Sequence, residues 1–227
     1  VGTITAGTIV GQAATQLTDV GNIRWTAAEL LQWLNAGLRQ IVTMQPNATS
    51  KLSLVTLVAG TRQTIPSDGW MLLRIHRNMG TTGTVPGRAI RVASREILDA
   101  FNPYWHTDTP SLEVKNFIYD IEDQAAFYVY PPNVGGQQIE LNYSQQPTDL
   151  TSGQAIPIFD VFASALLDYV MYRACSKDAE YAPGLELAKM YLSTFEAAIA
   201  VKDKSEKEVA PDNALMGRNP AVKGSDT

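Results

Sequence analysis

Hydrophobic residues recur along this chain with two different periods. Leu30, Leu34, Leu38, Ile41 and Val42 come every three or four positions, with Gln32, Asn35, Arg39 and Thr43 among them. That spacing gathers the apolar side chains on one face of an α-helix. Thr26 followed by Glu29 reads as a capping box at its start, and Pro46-Asn47 as its end. A weaker helix is predicted over residues 5–17, where Gly7 and Gly11 interrupt the pattern. From residue 51 to about residue 147 the period shortens to two. Lys51-Leu52-Ser53-Leu54-Val55-Thr56-Leu57 reads as a strand, and Gly60 turns it toward an expected partner at residues 62–66. Further strands are predicted over 70–77, 88–92, 117–121, 127–130 and 138–143, with a loop at 80–87 and a short helix over 94–101 capped by Ser94. Short strands at this spacing predict an antiparallel sandwich or barrel.

Helical periodicity returns at Pro157. Residues 157–176 are apolar on most sides, and Asp160, Ser164 and Asp168, four apart, form one narrow polar stripe. A helix with so little polar surface must be covered from several directions, so the stripe is expected to face a neighbouring copy or a channel. A last helix starts at Pro183, with Ala188, Tyr191, Leu192, Phe195 and Ile199 on one face. Beyond Val201 the pattern gives way to a mixed-charge run over 202–208 and then to an extended tail. The expected fold is α+β: an antiparallel helical bundle of about four helices, built from residues 1–50 and 151–204. An antiparallel β-sandwich or barrel module (51–150) is inserted into it, and an extended C-terminal tail (205–227) follows.

The totals narrow the function classes. A hydrophobic share of 45% over 227 residues supports a packed core. The net charge of −5, without a basic run, argues against a dedicated nucleic-acid binder. The single Cys175 forms no intramolecular disulfide, and Val1-Gly2-Thr3-Ile4-Thr5 lacks the basic start and apolar run of a signal peptide, so folding in a reducing cytoplasm is expected. The sequons at Asn47 and Asn142 then read as chance. No segment reaches the roughly 18 apolar residues of a membrane span, and no membrane partner is expected.

Catalytic readings fail one by one. His76 and His106 are thirty residues apart with no His or Cys at ligand spacing, so no metal is expected. The acidic group Asp120, Glu122 and Asp123 lacks the glycine-centred loop of a calcium site and reads as a solvated hairpin tip. Cys175 sits in an apolar helix, where a free thiol is ordinarily a small core group. The glycines from Gly80 to Gly87 lead into Arg88-Ala89 and a strand, rather than the Lys-Ser/Thr and helix of a phosphate cradle. Asp160 and Asp168 share one helix face, as an acid and base pair could, but two turns apart they read rather as keeping one stripe wet or meeting cations on a neighbour. Trp25, Trp33, Trp70 and Trp105 fall on separate elements and read as anchors. The expectation is a non-enzyme without cofactor.

Two blocks resemble a known family. Arg24-Trp25-Thr26-Ala27-Ala28-Glu29-Leu30-Leu31-Gln32-Trp33-Leu34-Asn35-Ala36-Gly37 is similar to the opening helix of the head-to-tail adaptor proteins of tailed bacteriophages, podovirus-like in kind. The run from Ala165 to Tyr181, with Tyr172-Arg173-Ala174 and Lys177-Asp178-Ala179-Glu180, resembles their later helix and turn. Gln146-Pro147-Thr148-Asp149-Leu150 and Ile156-Pro157 also fit. The resemblance implies a structural protein of the virion, made in the host bacterial cytoplasm. It implies a homo-oligomeric ring, commonly of twelve copies, beneath the portal protein. Tail nozzle, tube or fibre proteins would sit below it, and genomic DNA would pass through without sequence-specific binding. A tail without a core of its own suits docking on the portal, and Pro211, Leu215, Met216 and Pro220 are its expected anchors.

Three other readings make different predictions. A tail-tube gatekeeper or baseplate component would bind a different particle protein. A cytoplasmic carbohydrate- or peptide-binding module would be a monomer using the β-module and Trp105. A hydrolase would lose turnover on substitution of Asp160 or Asp168.

Overall fold

The structure is a computed structural model that describes residues 2–120, 122–177 and 182–209. The chain divides into two compact units, Val1–Gln45 with Asp149–Thr227, and Pro46–Thr148.

The first unit is helical. Helix α1 spans Ala6–Gln16, and the Thr5 hydroxyl caps it by accepting from the Thr8 N–H at 3.2 Å. Helix α2 spans Ala27–Met44, capped by Thr26, which accepts from the Glu29 N–H at 3.3 Å. The Glu29 carboxylate meets Lys177 Nζ at 2.8 and 2.9 Å. Helix α3 (Arg95–Phe101) belongs to the other unit. Helix α4 spans Ala163–Lys177 and helix α5 spans Ala182–Val209. Helix α4 packs against α1, α2 and α5. Its approach to α2 depends on Gly37, where an added Cβ would lie 2.8 Å from the Tyr169 ring.

A buried asparagine ties the returning chain to α2. Asn35 is 6% exposed, accepts from the Leu150 N–H at 2.9 Å and donates to the Leu150 carbonyl at 3.2 Å. It thereby supplies both bonds that a neighbouring strand would have made. Arg39 pairs with Asp149 beside it.

The second unit holds two sheets. Strands β1 (Ser50–Thr56), β2 (Gly60–Thr64), β3 (Gly69–Gly80), β4 (Arg91–Val92), β5 (Asn116–Tyr119), β6 (Ala126–Asn133) and β7 (Gln138–Gln145) follow in chain order. Helix α3 (Arg95–Phe101) lies between β4 and β5. One sheet has the order β1-β7-β3 and the other β2-β6-β5-β4. Every pairing is antiparallel except β4 with β5. Leu57, Ile65, Leu72, Ile75, Phe127, Val129, Ile139, Leu141 and Tyr143 pack into one core drawn from both sheets.

The expected pairing of residues 62–66 with 51–57 is not formed. Strand β1 pairs with β7, and β2 pairs with β6 in the other sheet. The crossing is made possible by Gln63, only 3% exposed. Its side chain accepts from the Val58 N–H at 2.8 Å and donates to the carbonyls of Val58 at 2.9 Å and Gly60 at 3.2 Å. Peptide groups that leave a sheet are thus satisfied without a strand partner.

Strand β3 departs from simple alternation as well. Four register shifts set its 12 residues against the eight of β7. Its buried positions are Leu72, Ile75, Asn78 and Met79, the first three of them three apart rather than two.

Candidate functional site

The polar stripe predicted on one long helix is divided among three environments. Helix α4 begins at Ala163, not at Pro157, because residues 160–162 form a 3-10 turn. Asp160 on that turn accepts from the Thr3 N–H at 2.8 Å, the Thr3 hydroxyl at 2.7 Å and the Ile4 N–H at 3.1 Å. The Ile4 N–H, with the Thr3 hydroxyl, holds its carboxyl below the ordinary value. Ser164 is exposed. Asp168 is half-buried, and loss of water around it raises its carboxyl. It also helps to raise the Tyr191 phenol on α5, which burial pushes up most. Asp160 therefore anchors the chain start, while Asp168 turns toward α5. The predicted anchors Pro211, Leu215, Met216 and Pro220 lie outside the described residues.

The other candidates resolve as structural groups. Trp105 is fully buried; its indole N–H donates to Asp99 at 2.7 Å, and His106 stacks on it at 3.7 Å between ring centres. A ring so enclosed offers no platform for a sugar or peptide. Asp120 accepts from the Glu122 N–H at 3.0 Å and Asp123 pairs with Arg62 at 3.0 Å, so this acidic group is held by its own hairpin and a neighbouring strand. Cys175 is half-buried. Among the described residues, no group of three His, Cys, Asp or Glu side chains could hold a metal ion, and no helix is long and apolar enough to cross a membrane.

Helix α4, expected to present apolar surface to neighbours, is covered within its own chain. Its exposed positions are Ser164, Arg173 and Lys177, all polar. The uncovered apolar surface lies on α5. Ala188, Phe195 and Ile199 are buried against the unit, and Glu186, Lys189 and Glu196 form a charged strip. Between these strips run Leu187, Met190, Thr194, Ala197 and Val201, spaced three and four apart and all exposed. Leu187 is 45%, Met190 50% and Val201 68% exposed. From Met190 to Val201 only Glu196 carries a charge. A helix of that composition is normally enclosed on more than one side. The spacing was present in the sequence, but the buried face of the same helix masks it.

Other apolar residues are uncovered as well, among them two smaller groups. The carboxylate of Asp19 accepts from the N–H groups of Ile23, Arg24 and Trp25, each at 2.9 Å, and so organises the turn between α1 and α2. The Trp25 N–H, ahead of that of Ile23, holds the Asp19 carboxyl low. Val20 and Ile23 stand exposed on this turn. In the β-unit, α3 has no buried residue; Ile97 and Phe101 follow one another on its outer face, and Tyr104 is exposed just beyond its end.

These features suit a protein that works by assembly, and the sequence comparison points the same way. The family model for the SU10 adaptor protein matches residues 4–218. The chain belongs to the SU10 adaptor protein family. The resemblance to phage head-to-tail adaptors is thereby borne out, and the adaptor is a structural component of the virion. No curated protein matches it. The two adaptor-like blocks of sequence meet in the fold. Gly37 of the first lies against Tyr169 of the second, and Glu29 pairs with Lys177. What the blocks have in common with adaptor sequences is therefore, at these positions, the packing of α2 on α4.

Proposed function

We propose that this adaptor forms a homo-oligomeric ring, commonly of twelve copies in such particles, which joins the portal to the tail and forms part of the DNA conduit. The single observation that carries the reading is the uncovered apolar stripe of α5, Leu187, Met190, Ala197 and Val201. In a closed ring each copy covers surface that its neighbour cannot cover alone. The architecture we propose is a helical bundle carrying an inserted β-sandwich, and the core shared by both sheets supports it. The segment holding Pro211, Leu215, Met216 and Pro220 docks on the portal. Tail nozzle, tube or fibre proteins bind below. DNA passes without sequence-specific contact, and the protein catalyses no reaction.

The test is to mix the purified chain with the portal ring of the same particle and measure the mass, with and without residues 210–227. A stoichiometric mass increase that needs those residues is expected. Binding to a tail protein instead of the portal would favour a gatekeeper or baseplate role.

A further inference from the structure

Within this acidic chain, three arginines of the β-unit gather around one cleft. Residues 88–90 run alongside β3: the Asn78 N–H donates to the Arg88 carbonyl at 2.9 Å, and the Ile90 N–H to the His76 carbonyl at 3.0 Å. The chain then leaves β3 and joins the other sheet, where the Arg91 N–H donates to the Lys115 carbonyl at 3.1 Å and the Ala93 N–H to the Phe117 carbonyl at 2.8 Å. Where the two strands part, a cleft of about 630 Å³ opens, with Arg74, Arg77, His76 and Arg91 on its walls and Ile90 and Phe117 among its apolar lining.

The cations of this cleft are largely unmatched. Arg77 is 3.6 Å from Glu140, but Arg74 and Arg91 have no ion-pair or hydrogen-bond partner among the described residues. Guanidinium groups offer forked donors that match oxyanions, and three of them match the several oxygens of a phosphate better than the two of a carboxylate. On a chain of net charge −5, a polyanion would be repelled elsewhere and drawn to this cleft.

We propose that the cleft between β3 and β4 is a phosphate site that takes the sugar-phosphate backbone of DNA. Arg74 and Arg91 clamp the phosphate oxygens, with Arg77 beside them on the wall. Contacts of this kind carry no sequence preference and weaken steeply with salt. One such contact per copy touches the passing strand without holding it.

The experiment measures fluorescence anisotropy of a labelled duplex of about 20 base pairs against the full chain over a series of salt concentrations. The wild type is compared with Arg74→Gln/Arg91→Gln, with the charge-keeping Arg74→Lys/Arg91→Lys, and with Arg173→Gln, an exposed arginine of the helical unit. The expected result is a loss of about tenfold or more for the glutamine pair, with a salt slope shallower by about two. The lysine pair keeps most of the binding, and Arg173→Gln binds as the wild type does. Circular dichroism checks that each variant is folded. Equal DNA binding by the wild type and the glutamine pair would overturn the proposal, as would no DNA binding by the wild type at low salt. Polyglutamate that displaces DNA as well as unlabelled DNA does would show a carboxylate site instead. Inorganic phosphate that raises the thermal midpoint of the wild type but not the glutamine pair, with no DNA bound, would assign the cleft to free phosphate and remove the nucleic acid.

Discussion

Helices α4 and α5 are both rich in apolar residues, yet the chain treats them in opposite ways. Helix α4 has α1, α2 and α5 around it, and Leu166, Val170 and Ala174 are fully buried. What it leaves to solvent is Ser164, Arg173 and Lys177. Helix α5 packs chiefly on α4, and Leu187, Met190 and Val201 remain open. The difference comes from topology rather than composition. A helix in the middle of a bundle is enclosed by its own chain, whereas the last helix has neighbours on one side. Apolar surface that persists on that outer side is what the proposed ring would cover.

Substitutions that act on the two helices separately sharpen this contrast. The largest effect is expected from Leu166→Ala, which opens a cavity in the enclosed helix and costs about 2–5 kcal/mol of stability in denaturant unfolding. Next comes Asn35→Ala, which leaves the Leu150 N–H and carbonyl buried without partners. A loss of about 1–3 kcal/mol in the same measurement is expected. Gly37→Ala brings a Cβ into the Tyr169 ring, and the gain in helix propensity of about 1 kcal/mol offsets part of the clash. The net result should be a small loss, read as a lower thermal midpoint.

The smallest effect is a pH dependence at Asp168. Burial raises its folded-state carboxyl above the ordinary value, so the folded chain holds this proton to higher pH than the unfolded chain does. Ionising it as pH rises from the ordinary carboxylate range toward neutrality costs stability. Asp168→Asn should therefore raise the thermal midpoint at pH 7 and leave it unchanged near pH 3, where the carboxyl is protonated in both states. A midpoint that falls at pH 7 would mean the charge is matched by a partner.

Much of the secondary structure could be read from local patterns. Thr26 before Leu30, Leu34 and Leu38 marks α2 within a residue of its start, and the β5–β6 hairpin follows from the polar turn at Glu122-Asp123-Gln124. Glu29 shows the limit of such reading: its N–H completes the cap, but its carboxylate goes to Lys177, 148 residues away. Strand pairing was less legible because it depends on distant groups. Nothing near Gly60 announces that Gln63 will satisfy the crossing peptides and send β2 to the other sheet. The burial period of three in β3 comes from register shifts against β7, which the β3 residues alone do not encode. Residues 205–209, expected to open the extended tail, continue α5 to Val209. The Lys and Glu residues of this run are good helix formers that need no buried face to propagate a helix already started.

The candidate surface was harder still. Apolar enclosure was expected of residues 157–176; the bundle covers α4 itself but leaves Phe159 and Val161 exposed ahead of it, while the second apolar face of α5 was hidden behind its first. Deciding between them requires knowing which helix is last in the packing order, and that is a property of the whole fold.

The most direct test of the central claim is the double variant Met190→Glu/Val201→Glu. Its thermal midpoint and the mass of the complex it forms on the purified portal ring should be measured beside those of the wild type. Both residues are exposed, so the account predicts a change in stability within about 0.5 kcal/mol, together with loss of side-by-side loading on the ring. A variant that loads as the wild type does would contradict the account, because the α5 stripe would then serve no contact between copies.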